Sequence, residues 1–181
     1  MSRRLRKQVG LIVAVLGVLL IVQKRSIMFY GLTSRTHLYD MVDDVVACLG
    51  GGENAKKLLL ETAAAETGLG EAVDTSWWTG IGLMQFDKIG FDDVKQRTSP
   101  AVKDKVLHCF GIDIDRVEHT DLRWSPLLSL VFARLKYRLV PSAIPSTLEG
   151  RAAYWKKWYN SELGAGTPQH YIESAKKYRV A

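Results

Sequence analysis

From residue 33 onward the chain reads as a succession of helical phrases, each opened by a capping residue and closed by a breaker, and this punctuation constrains the fold most. In "TSRTHLYDMVDDVVACLGGG" Thr33 or Ser34 can cap, Leu38, Met41, Val42, Val45, Val46 and Leu49 follow the 3–4 spacing, and three glycines stop the run. "NAKKLLLETAAAETGLG" offers Asn54 as cap and strong helix formers up to Gly68. "SPAVKDKVLHCFG" has Ser99, then Pro100 in the first turn, and Gly111 as a stop. "SPLLSLVFARLKYRLVP" is strongly apolar and ends before Pro141, while "STLEGRAAYWKKWYN" and "TPQHYIESAKKY" supply two further helices opened by Ser or Thr. No period-2 run of useful length competes, beyond a short piece around residues 77–86 that suits a very small β-hairpin or an irregular turn. The expected fold class is therefore all-α for residues 33–181.

The first 32 residues form a separate unit. "MSRRLRKQ" is basic, "VGLIVAVLGVLLIV" (9–22) carries no charge, and Lys24 and Arg25 close it. A spanning helix usually needs about 20 apolar residues, so this run reaches across a bilayer only with its flanking Arg and Lys snorkelling. No small-residue cleavage site follows, so the reading is an uncleaved signal anchor, with "SIMFYGL" able to lie in the interface. The heavier positive cluster before the run predicts a cytoplasmic N-terminus and residues 26–181 on the other side of the membrane. A buried core helix is the alternative, and the basic flanks argue against it. The net charge of +6 suits an anionic partner, but no long basic block interleaved with aromatics lies outside the N-terminus, so nucleic acid is not the expected partner. The two cysteines, Cys48 and Cys109, are read by default as buried free thiols. A bridge between them would close a loop of about 60 residues and stabilise the fold by about 4 kcal/mol in the chain-entropy model.

Two glutamates in "ETAAAETGLG" invite a catalytic reading. Residues five apart on a helix diverge by about 140°, so Glu61 and Glu66 cannot both face one cleft, and Glu61 is expected at the solvated surface. Glu66 lies in the last turn, where the negative end of the helix dipole opposes ionisation. Cover from Trp77 or Trp78 would act in the same direction and leave a protonated acid, the species that glycosidic cleavage requires.

"AAAETGLG" followed after a gap by "GIGLMQF" resembles the goose-type lysozyme and soluble lytic transglycosylase superfamily, in which a helix ends in Glu-Ser and a glycine turn leads into Gly-Leu-Met-Gln. Here Thr67 stands for the serine and keeps its hydroxyl, and Gly82-Leu83-Met84-Gln85 match outright. "GLMQFDKIGFDDV" and "AAYWKKWYNSELGAGTP" also look like lysozyme-like proteins of bacteriophages and prophages, so the likeness runs in patches from about 55 to 175 and excludes the anchor. The resemblance implies a lysozyme-like fold acting on peptidoglycan without a cofactor. It implies that Glu66 is the general acid/base, that Met84 and Gln85 belong to the sugar-binding floor, and that Tyr159 orients Glu66 beside Asn160. Trp77 and Trp78 either stack on sugar faces or fill core. Leu83 and Met84 also suit a core, Gln85 a turn, and Tyr159 an aromatic stripe continuing from Trp155.

A lysozyme-type hydrolase usually has a second carboxylate ~5–5.5 Å or ~6.5–9.5 Å from the acid. Glu71, Asp74 and Asp87 are candidates, with Asp87 best placed after the Gln85 turn. Without a compelling second acid, the reading favours a lytic transglycosylase, which needs one acid/base because the substrate's own hydroxyl attacks. The other readings are a hydrolytic lysozyme and a lysozyme-like structural protein of a virion membrane with a dead site. A phage enzyme of this kind would serve either host lysis, as an anchored endolysin, or wall opening during infection. A thiol mechanism built on Cys109 with His108, His119 or His170 is disfavoured, because a helix C-terminus raises a thiol's pKa. The four histidines and two cysteines form no metal-binding spacing, so no metal is expected.

Overall fold

In a computed structural model of the chain, residues 27–73, 80–160 and 164–181 are described. They contain seven α-helices: α1 Arg35–Leu49, α2 Gly52–Thr67, α3 Lys88–Arg97, α4 Pro100–Phe110, α5 Pro126–Arg138, α6 Leu148–Trp155 and α7 Pro168–Tyr178. A single 3-10 turn, His119–Arg123, precedes α5, and a π-type turn, Lys156–Asn160, extends α6. The described residues contain no β-strand, only an isolated antiparallel bridge between Ile81 and Phe86. The domain is all-α, as the capped helical phrases require. The apolar run 9–22, with the anchor expected there, lies outside the described residues, and among those residues no helix is long and apolar enough to cross a membrane.

The caps explain the boundaries. Side chains of Ser34, Ser125, Thr147 and Thr167 each accept the backbone N–H three residues on, satisfying donors that a helix start leaves open. Pro100, Pro126 and Pro168 occupy first-turn positions where their missing N–H costs nothing. Two boundaries depart from expectation. Helix α2 starts at Gly52, after Gly51 in a left-handed conformation, so Asn54 lies inside the helix and does not cap it. Helix α3 is an additional helix whose N-cap is Asp87, accepting the Gly90 N–H at 2.6 Å.

Helix α5 is buried on nearly all sides, through Leu128, Leu130, Val131, Phe132, Ala133, Leu135 and Tyr137, which makes it the central helix. Helix α2 packs against α1, α5, α6 and α7. Gly68 ends it in the left-handed region, and a Cβ there would meet the Tyr178 hydroxyl. The carbonyl of Ala65, in the same last turn, accepts from His170 Nε2 at 3.0 Å.

Cys48 and Cys109 are bonded, their Cα atoms 6.4 Å apart, so the default reading of two free thiols does not hold. Each lies near the C-terminal end of its helix, and α1 packs beside α4, which brings the two sulfurs together. Sequence spacing carries no information on that packing. Glu61 is also corrected: it is buried, not solvated. Arg151 grips it through two hydrogen bonds of 2.7 Å, and the Tyr171 hydroxyl donates a third at 3.0 Å.

Candidate active site

Glu66 and Glu61 leave α2 in different directions, as five-residue spacing demands. Glu66 lines a cleft of about 460 Å³ together with Gln85, Asp87, Lys136, Asn160 and residues 164–166. Glu61 turns instead into the Arg151–Tyr171 pair. Two elements of the site were not singled out from the sequence. The first is Trp155, whose indole Nε1–H donates to Glu66 Oε1 at 3.0 Å. Its ring is fully buried against Tyr171, so the donor is held still. The second is Lys136, discussed below.

The residues 81–86 form a tight loop whose carbonyls are tied down one by one. Ile81 and Phe86 exchange backbone hydrogen bonds of 3.1 and 3.0 Å across its base. The Gly82 carbonyl accepts from the Gln85 amide Nε2 at 2.9 Å, the Leu83 carbonyl from Thr67 Oγ1 at 2.8 Å, and the Met84 carbonyl from the Tyr159 hydroxyl at 2.7 Å. Gly82 has a positive φ, and a Cβ would run into the Leu122 carbonyl and Ser129 Oγ, so only glycine fits. Thr67, the residue after Glu66, thus joins the end of α2 directly to the loop, and Tyr159 holds the loop at Met84. Gln85 is thereby held on the wall of the cleft that Glu66 also lines.

Gln85 itself has a positive φ of 45°, an uncommon conformation for a residue with a side chain. Its Oε1 is the single buried side-chain polar atom among the described residues with no hydrogen-bond partner. Strain and an unmatched acceptor in one residue beside a cleft are a pattern that functional sites tolerate.

Tyr159 does not hold Glu66 by its proton, which goes to Met84. The π-type turn separates it from Trp155 in direction: Trp155 reaches Glu66, whereas Tyr159 stacks on Tyr137 with centroids 5.3 Å apart and meets the edge of Phe86. Burial pushes the Tyr159 phenol well above its ordinary value, and the neighbouring Glu66 acts in the same direction. The Met84 side chain is fully buried and cannot touch a ligand in the cleft, so its contribution is the carbonyl. Asn160 lines the cleft and accepts from Lys156 Nζ at 3.0 Å. Trp77 and Trp78 lie outside the described residues, as does Asp74.

Asp87 lines the same cleft, with one oxygen engaged as the cap of α3. Glu71 is occupied elsewhere, paired with Arg35 at 2.6 Å. Lys136 projects from the apolar helix α5 over the faces of Phe86 and Tyr159 and donates to the Tyr159 carbonyl at 3.1 Å. Burial pushes its ammonium below the usual lysine value, against the opposing pull of Asp87, Glu66 and Asp93. A cation in the most apolar helix phrase is the signal that could have marked it.

His119 Nε2 is hydrogen-bonded to the Phe86 carbonyl at 2.8 Å, and Cys109 has no thiol to ionise once bonded to Cys48, so the thiol mechanism has no nucleophile. Among the described residues, no group of three or more His, Cys, Asp or Glu side chains is arranged to hold a metal. No protein-family model matches the chain, and neither does any curated protein or solved structure.

Proposed function

We propose that the chain is a membrane-anchored, phage-type enzyme that degrades peptidoglycan by cleaving the glycosidic bond between N-acetylmuramic acid and N-acetylglucosamine, as a lytic transglycosylase with Glu66 as its acid/base. The observation that carries this reading is Glu66 on the wall of an open cleft, fixed by a buried indole donor and locked through Thr67 to the Gly-Leu-Met-Gln loop.

In the proposed reaction the Glu66 carboxyl gives its proton to the bridging oxygen as the bond from muramoyl C1 to that oxygen breaks. The positive charge that develops at C1 is taken up by attack of the same sugar's C6 hydroxyl. That hydroxyl returns its proton to the Glu66 carboxylate, so the enzyme is restored, no water is consumed and a 1,6-anhydro end is left. The attacking group is already tethered to the reacting carbon, and positioning therefore supplies much of the rate. The Trp155 N–H sets the orientation of the carboxyl throughout.

A hydrolytic reading also has an observation in its favour: Asp87 lines the same cleft. Digesting purified peptidoglycan with the full chain in detergent and weighing the products separates the two. Anhydro ends are expected; reducing ends, heavier by one water, mean that Asp87 or another base activates solvent. Intact glycan strands contradict both.

For location, residues 9–22 are read as an uncleaved span with the domain outside the cytoplasm. The Cys48–Cys109 bond supports this reading, because disulfides persist in oxidising compartments. The role is in host lysis or in wall opening during infection, and finding the chain in purified virions would decide for the second.

A further inference from the structure

A second concavity, of about 390 Å³, adjoins the active-site cleft and shares Gly80 and Gln85 with it. It is lined by Met28, Phe29, Val73, Ile81, Arg123 and Trp124 among others, and is mainly apolar. Trp124 is 73% exposed and Val73 51%, and Ile27, next to Met28, is 73% exposed. Two of the five large hydrophobic side chains exposed among the described residues, Val73 and Trp124, line this one concavity, and a third, Ile27, adjoins its Met28 in the chain. Elsewhere such side chains occur singly, which needs no explanation; a cluster does.

The chain's own layout says what covers the cluster. Residues 29–32 are pinned to the domain, with the Phe29 N–H on the Gly70 carbonyl at 2.8 Å and Tyr30 and Leu32 buried. The polypeptide therefore leaves the domain at this face. The uncharged run ends at Val22, and five residue steps to Ile27 extend at most roughly 17 Å. A domain of this length is roughly 40 Å across, so the tether cannot bring the opposite face to the surface that the run enters. The side chains lining this face carry the chemistry of a headgroup layer, an exposed tryptophan, aliphatic groups and the cation Arg123, and in sequence Lys24 and Arg25 follow the uncharged run.

We propose that the face formed by Ile27–Gly31, Val73 and Trp124 lies against the lipid headgroup layer of the membrane, with Trp124 inserted in the interface. This rests on the reading of residues 9–22 as a membrane span. The cleft, which is continuous with this face, then opens beside the bilayer, and the enzyme works on glycan strands nearest the membrane.

The test uses the full chain in vesicles of phosphatidylethanolamine and phosphatidylglycerol with brominated acyl chains. Trp124 is one tryptophan of five, so Trp124→Phe is expected to remove a lipid-quenched component of roughly one fifth of the emission, and in wild type that component is expected to be shielded from aqueous iodide. An unchanged lipid quenching in Trp124→Phe overturns the proposal. Within that outcome, open access to iodide means a free surface, and shielding from iodide means a second copy or another protein on the face. Flotation of wild type with the vesicles is scored first: failure to float removes the span itself, and with it this orientation, while leaving the wall-cleaving reading to its own assay.

Discussion

At the scale of single residues, two glutamates on one helix do opposite work. Glu61 is enclosed and satisfied by Arg151 and Tyr171. Removing one partner of a buried pair leaves the other charge uncompensated at a cost of about 3–5 kcal/mol. Glu61→Gln is therefore expected to lower stability by about that amount in a denaturant titration, and a loss below about 1 kcal/mol would contradict the buried pairing. Glu66 faces the cleft and accepts the Trp155 indole N–H. A hydrogen bond to a charged partner is worth about 1.5–3 kcal/mol, and the Glu66 carboxylate develops as its proton is given up, so Trp155→Phe is expected to reduce kcat by about 10-fold or more. The accompanying loss of packing is read separately from the melting temperature. The spacing argument separated the two side chains correctly, yet the sequence could not reveal that the one turned away from the cleft meets an arginine 90 positions later. That pairing exists only in the packed domain.

At the scale of elements, the loop 81–86 and the π-type turn after α6 shape the site, and they were unequally legible. The helices were readable because caps and breakers are local signals: Ser34, Ser99 with Pro100, Ser125, Thr147 and Thr167 with Pro168 all fall at observed starts. Asp87 was read only as a candidate second carboxylate, because the short helix that it caps was not expected from the sequence. The structure gives it the cap, on the wall of the cleft. The π-type turn has no sequence signature; the partner that the resemblance implied for Tyr159, Glu66, does not receive its proton, whereas the aromatic stripe continuing from Trp155 is close to the packing observed. The Tyr159 hydroxyl serves the Met84 carbonyl, so Tyr159→Phe leaves that buried acceptor unmatched. A stability loss of about 1–3 kcal/mol is expected, with activity falling only as far as the loop loosens. If Tyr159→Phe abolished turnover at unchanged stability, the phenol would have a direct chemical role that this account does not give it.

At the scale of the whole molecule, one disulfide and a group of buried phenols govern the limits of stability. The Cys48–Cys109 bond ties α1 to α4 across a separation of 61 residues. Replacing both cysteines by serine is expected to cost about 4 kcal/mol in the chain-entropy model, measured by chemical denaturation. Burial raises the phenols of Tyr137, Tyr159 and Tyr171 well above the ordinary value of 10.0. Above that pH the unfolded chain releases these protons first, so the stability they contribute is present below it and is lost as pH rises. Lys136 and Arg134, whose folded values burial lowers, Arg134 to about 10, act in the opposite sense, against four raised phenols once Tyr154 is included. An alkaline titration is expected to show part of the tyrosinate absorbance appearing together with cooperative unfolding, not before it. The central claim, that Glu66 is the working acid, is tested most directly by comparing wild type and Glu66→Gln on purified peptidoglycan at matched thermal stability. Release of soluble glycan by Glu66→Gln is expected to fall by about 100-fold or more, the range for loss of a general acid. Undiminished release by a folded Glu66→Gln variant would contradict that claim.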